Sequence, residues 1–226
     1  MSARAKAITP LAIVIGILSF LWTEFSLNFT FHWVTVQDEI GGAGTLGLPE
    51  NFQLILPTAF NSWGLFFAAG GDNAAFGKIF LATVFGSVAA LVTMPLAFKT
   101  ADAPDFWGIA LWVGIFAFVL VMILIAGDWY YVAGTFPCFA AVFLWWIATG
   151  LDGYVPNGGG TDNTAAALGD PLTAGAGAFG GLLSLPWQWV WFDTWVTLVC
   201  GVILGIISAK VTAAITPKPK AAPEAA

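Results

Sequence analysis

The stretch WGIALWVGIFAFVLVMILIA, residues 107 to 126, is twenty residues without one charged side chain. As a helix it rises about 30 Å, the thickness of a bilayer's hydrocarbon core. Working outward, five more runs read the same way. The predicted spans are about 8–30, 53–70, 76–98, 105–126, 129–149 and 187–210. The chain is 59% hydrophobic and 9% charged, so nothing is left over to build a soluble core. The expected fold class is all-α: a polytopic bundle of six transmembrane helices in one domain, residues 1–210, followed by a flexible tail at 211–226.

Charge orients this bundle. Arg4, Lys6, Lys78, Lys210, Lys218 and Lys220 alternate onto one side and leave Lys99 alone on the other, which places both termini in the cytoplasm. Asp38, Glu39 and Glu50 then lie in an external loop, as do Asp162 and Asp170 in a second, so the net charge of -6 belongs mainly to one surface. No basic patch or Arg cluster exists, which argues against nucleic acid. The basic start and apolar run imitate a signal peptide. Apolar sequence continues from Ile8 to Trp22 with no A-x-A site, however, and an uncleaved first span fits better. The Gly-rich loop 151–185 has two readings: an external cover, or a piece that re-enters the membrane over Ala174 to Leu185.

Cys138 and Cys200 both fall inside spans and read as small buried apolar side chains. With one histidine and two separated cysteines, no zinc, haem or iron-sulfur site is expected, and no cofactor.

Prolines interrupt three spans. Pro57 and Pro137 stand beside small or polar residues and read as helix breaks whose freed carbonyls need partners, while Pro95 reads as a terminator. The two halves resemble each other. Phe66 to Asp72 precedes a span carrying Gly86, and Trp145 to Asp152 precedes one carrying Gly201 and Gly205. Three spans per half would give opposite orientations, the inverted repeat used by many transporters. Gly201-x-x-x-Gly205 is also a close-packing motif, within one copy or between copies.

Few polar side chains lie within the spans. Glu24, Asn28 and His32, four residues apart, share one helix face near the external edge. They read either as a solvated helix end or as the external mouth of a solute path, with Asp193 at the same level. Thr58, Asn61 and Ser62 lie deeper, with Thr135 as their match in the second half. They either bridge helices or line a path for an uncharged polar solute. Of the twelve tryptophans, those near span ends read as interfacial anchors, and Trp63, Trp145 and Trp146 read as packing.

Ser62-Trp63-Gly64-Leu65-Phe66-Phe67-Ala68-Ala69-Gly70-Gly71, Phe85-Gly86-Ser87-Val88, Gly127-Asp128-Trp129 and Gly134-Thr135-Phe136 resemble the small bacterial inner-membrane proteins grouped as domain of unknown function 1097. The resemblance covers most of the membrane part. It departs at 33–52, at 151–185 and in the order of the Gly-Asp-Trp and Gly-Thr-Phe pieces. It implies a multi-pass protein of the bacterial cytoplasmic membrane and carries over no activity and no catalytic residue.

The expectation for function is a channel or carrier, not an enzyme, passing a small and largely uncharged polar solute, as a monomer or a homo-oligomer. The rival is a non-transporting subunit that binds another membrane protein, a pigment or lipid. An acid-base pair of Glu24 and His32 would make a membrane enzyme, but no nucleophile, metal constellation or cofactor fingerprint accompanies it.

Overall fold

A computed structural model describes residues 2–33, 46–49, 51–149 and 185–216. Every regular element among them is helical. α1 (Ala3–Asn28) runs into a π-turn at Phe29–Trp33; then come α2 (Leu56–Ala68), α3 (Asn73–Lys99), α4 (Trp107–Met122), α5 (Val132–Ala148) and α6 (Trp187–Ile215). Helices α1, α3 and α6, and α4 with its flanking 3-10 turns, are long and apolar enough to cross a membrane. Helix α5 has 17 residues and α2 only 13. The fold is thus all-helical with four long apolar helices and two shorter ones.

The second segment departs from expectation. Residues 53–70 read as one span, but Phe52 to Ile55 is non-helical, Ile55 itself being extended, and the helix begins at Leu56. Pro57 therefore interrupts no helix. It occupies the first turn, where its missing N–H costs nothing. Thirteen helical residues rise roughly 20 Å, short of a bilayer core of about 30 Å, so the non-helical lead must supply the rest if this segment crosses. Pro137 does sit inside α5, Pro10 sits inside α1, and Pro95 ends nothing, since α3 continues to Lys99. Helix α6 also runs five residues past the expected end of the membrane domain. The loop 151–185, apart from Leu185, and the tail beyond Thr216 lie outside the described residues.

Two helix pairs form the body. α2 packs chiefly along α6 and α5 chiefly along α3, while α3 and α6 also pack on each other. Both main pairs are parallel: Ser62 meets Leu198 and Trp63 meets Ser208, whereas Gly134 lies against Ala82 and Phe98 against Trp146. Alternating crossings would give these pairs that direction. The buried positions also recur at equal intervals. Thr58, Ala59, Ser62, Trp63 and Phe66 on α2 are spaced as Gly134, Thr135, Cys138, Phe139 and Val142 on α5. Ala75, Ile79, Thr83, Gly86 and Ala90 on α3 are spaced as Val190, Thr194, Leu198, Gly201 and Gly205 on α6.

The close contacts follow the same scheme. A methyl group at Gly86 would collide with the Thr135 carbonyl and Cys138, and one at Gly201 with the Ala59 carbonyl and the Ser62 hydroxyl. Gly205 admits the Phe66 ring. Helices α1 and α4 are peripheral, the first on α6, the second on α3. They leave Ile13, Ile17 and Phe20, and Phe118, Val119 and Ile125, exposed. An apolar rim of that extent suits lipid, not water.

Candidate functional site

The expected polar residues do not line one common space. Ser62 is fully buried and donates at 2.6 Å to the carbonyl of Leu198, which ties α2 to α6. Thr135, also buried, donates to the Tyr131 carbonyl of its own helix. Thr58 is buried on the same face of α2 as Ser62. Asn61 is exposed at the edge of an apolar groove of roughly 650 Å³ between α4 and α5, lined by Ile109, Val113, Phe136, Pro137, Phe143 and Leu144. Helix bridging is the role these contacts display for Ser62.

The stripe at the end of α1 is partly assembled. Asn28 donates from Nδ2 to the Glu24 carboxylate at 3.2 Å and to the Glu24 carbonyl at 2.8 Å, on an exposed surface. His32 falls in the π-turn, and its side chain lies outside the described residues. Glu24 does not share a site with Asp193: one is exposed on α1, the other fully buried in α6.

The densest unsatisfied chemistry lies where the second segment is broken. The non-helical Phe52–Ile55 stretch meets α6 at Thr197 with three of its residues buried, so its main chain must find partners away from water. Ile55 donates its N–H to the Thr197 hydroxyl at 3.2 Å. The Thr30 hydroxyl meets Leu54 twice, donating to its carbonyl at 3.2 Å and accepting its N–H at 3.3 Å. Trp22 donates from its indole to the Leu56 carbonyl at 3.1 Å. Side chains from α1 and α6 thus replace the hydrogen bonds that a continuous helix would have made.

Two side chains there keep unused capacity. Gln53 is 2% exposed with Nε2 unpartnered, and Asp193 is fully buried with both carboxylate oxygens unpartnered among the described residues. The main-chain N–H of Gln53 lies beside that carboxylate, short of good hydrogen-bond geometry. Beside them, the Phe52 ring lies 5.5 Å from Phe29 and 5.7 Å from Phe192. Buried polar groups are nearly always satisfied, so an orphaned acid and amide at one break mark a place where something else binds or moves.

Sequence reasoning named Asp193 but not Gln53, Thr30 or Thr197. The available signal was Pro57: a proline favours the first helical turn, which would have left Gln53 in a non-helical lead. The tryptophans divide only in part between surface and interior, since Trp112, Trp145, Trp187, Trp189 and Trp191 are half-buried. Trp107 and Trp129 are exposed, while Trp63 and Trp146 are buried, Trp63 donating to Ser208 at 3.0 Å.

Three comparisons were made, with family models, with curated proteins and with solved structures, and none found a match to the chain.

Proposed function

We propose that the chain is an integral membrane transport protein, a channel or carrier for a small polar solute, built from two inverted three-helix repeats with both termini in the cytoplasm. The observation that carries this reading is the break ahead of α2: a non-helical, buried stretch held by Thr30 and Thr197, with Gln53 within it and Asp193 against it both unsatisfied. Non-helical backbone at membrane depth is tolerated where protein or a cavity surrounds it, and transporters place their solute sites at such breaks. The recurring buried positions of α2 with α5 and of α3 with α6 support the repeat. A bacterial cytoplasmic membrane is the proposed location, in line with the resemblance to domain of unknown function 1097.

Reconstitution tests the proposal. Proteoliposomes should pass small amides, polyols or amines faster than protein-free vesicles, and vesicles impermeable to the whole panel would sink it. The accessory-subunit reading draws on the open apolar groove between α4 and α5. Purification in mild detergent separates the two, because a stable hetero-complex or a coloured preparation would favour the subunit.

A further inference from the structure

Charge decides what the Asp193 niche can hold. A carboxylate removed from water stays ionised only beside a positive charge and otherwise takes up a proton, so a cation that binds there does so in exchange for that proton. The basic residues of the chain are Arg4, Lys6, Lys78, Lys99, Lys210, Lys218, Lys220 and the single His32. Arg4, Lys6, Lys78, Lys99 and Lys210 are all exposed. Segments 34–52 and 150–186, which flank the break and the start of α6, contain no Lys, Arg or His. His32 is the one internal rival for the role of counter-charge on that side.

The rest of the niche suits an N–H cation. Asp193 offers two free acceptors, and the Gln53 amide presents either nitrogen or oxygen by a half-turn of its last bond. Phe52 and Phe192, the chain neighbours of this pair, have ring centroids 5.7 Å apart, and Trp189 lies 5.8 Å from Phe192. Trp189, four residues before Asp193, is one helical turn away from it on α6, and an aromatic ring at such a place favours a small ammonium group. Complete burial of Asp193 restricts the guest to a small one. We infer that the Gln53–Asp193 niche binds a small ammonium-type cation, either ammonium itself or the primary ammonium end of a solute. This assignment rests on the transport reading and replaces the largely uncharged solute expected from the sequence with one that carries an ammonium group.

The test uses the full-length protein in detergent, with unfolding followed by tryptophan fluorescence at constant ionic strength. Ammonium or methylammonium chloride should raise the apparent unfolding temperature by about 3 °C over sodium chloride. A response to ammonium alone marks the free ion, and a larger one to methylammonium marks an amine-bearing solute. The shift should vanish in Asp193→Asn and persist in His32→Gln. Gln53→Leu, which keeps the shape of the site, should weaken the apparent affinity by at least about threefold, and it carries the test if Asp193→Asn does not fold. Equal shifts with sodium and ammonium, a shift with formamide alone, or a shift retained in Asp193→Asn overturns the assignment. So does a wild type that ignores ammonium while His32→Gln responds, since the histidine would then be the counter-charge. Proteoliposomes that pass nothing while the shift stands reject transport and leave the site. Uptake that is unchanged in Asp193→Asn rejects the site and leaves transport.

Discussion

The α3–α5 pair and the α2–α6 pair share a packing scheme and differ in chemistry. Each closes on a glycine, Gly86 in one and Gly201 in the other, pressed against the main chain of its partner. In the first pair, α5 is helical through Pro137, and its interface holds Thr135, Cys138 and Phe139. In the second, the partner α2 is preceded by a non-helical lead, and the interface carries Gln53, Ser62, Thr197, Ser208 and Asp193. Position by position, Asp193 and Thr197 on α6 correspond to Lys78 and Ala82 on α3, and Lys78 is exposed. Both pairs thus bury hydroxyls, Thr83, Ser87 and Thr135 in the first, and the second adds an acid and an amide. The asymmetry is where function is to be sought.

The strongest test of this comparison is its shared part. Gly86→Val and Gly201→Val each force a branched side chain into a partner's main chain, and each should cost about 3 kcal/mol or more. Both variants should then fail to give a monodisperse peak on gel filtration in detergent. A severe Gly201 variant beside a well-behaved Gly86 variant would break the equivalence of the two interfaces.

Thr197→Val addresses the part that is not shared. It removes the acceptor for the buried Ile55 N–H and should destabilise by about 1 to 3 kcal/mol in an unfolding titration. Ala82→Thr, at the matching place on α3, has no broken backbone to serve and should gain no stability. A stabilised Ala82→Thr would show that the hydroxyl acts through packing and not through the break. A smaller effect is expected from Trp63→Phe, which forfeits the indole bond to Ser208 but keeps the ring, at about 1 kcal/mol. Phe139, the counterpart of Trp63, already does without such a bond.

How far the sequence could carry this reading depended on the kind of signal. Apolar run length is a local property, and a helix occupies each of the six runs it marks, with ends that differ by up to five residues, at Ala3 and at Ile215. The break at Phe52–Ile55 left no such trace. Leu54, Ile55 and Leu56 are as apolar as helical neighbours, and the hydrogen bonds that permit a non-helical chain come from Thr30 and Thr197, distant in sequence. Among polar residues, only contacts across helices decide the role. Ser62 and Asn61 are adjacent, yet the first bridges to Leu198 and the second borders an open groove. Asp193 reads as an acid at the external mouth, level with Glu24, and its burial against Gln53, itself read as the edge of a span, comes only from the packing of α6.

Glu24 supplies the smallest expected effect and the sharpest limit on the comparison. At 100° per residue it lies about 160° around α1 from both Trp22 and Ser26, the buried residues that face the bundle. Its carboxylate is exposed and its polar contacts are with Asn28, one turn away on the same helix. An exposed pair of this kind contributes little, so Glu24→Gln should leave the unfolding midpoint unchanged and solute uptake within about twofold of wild type. Under the same conditions Asp193→Asn should lower uptake at least about tenfold, the factor that roughly 1.4 kcal/mol represents. Were Glu24→Gln to fall as far as Asp193→Asn, the path would have to reach the outer face of α1. That face is in contact with the bundle only if a second copy packs there, so the fall should then come with a dimer or larger species in light scattering.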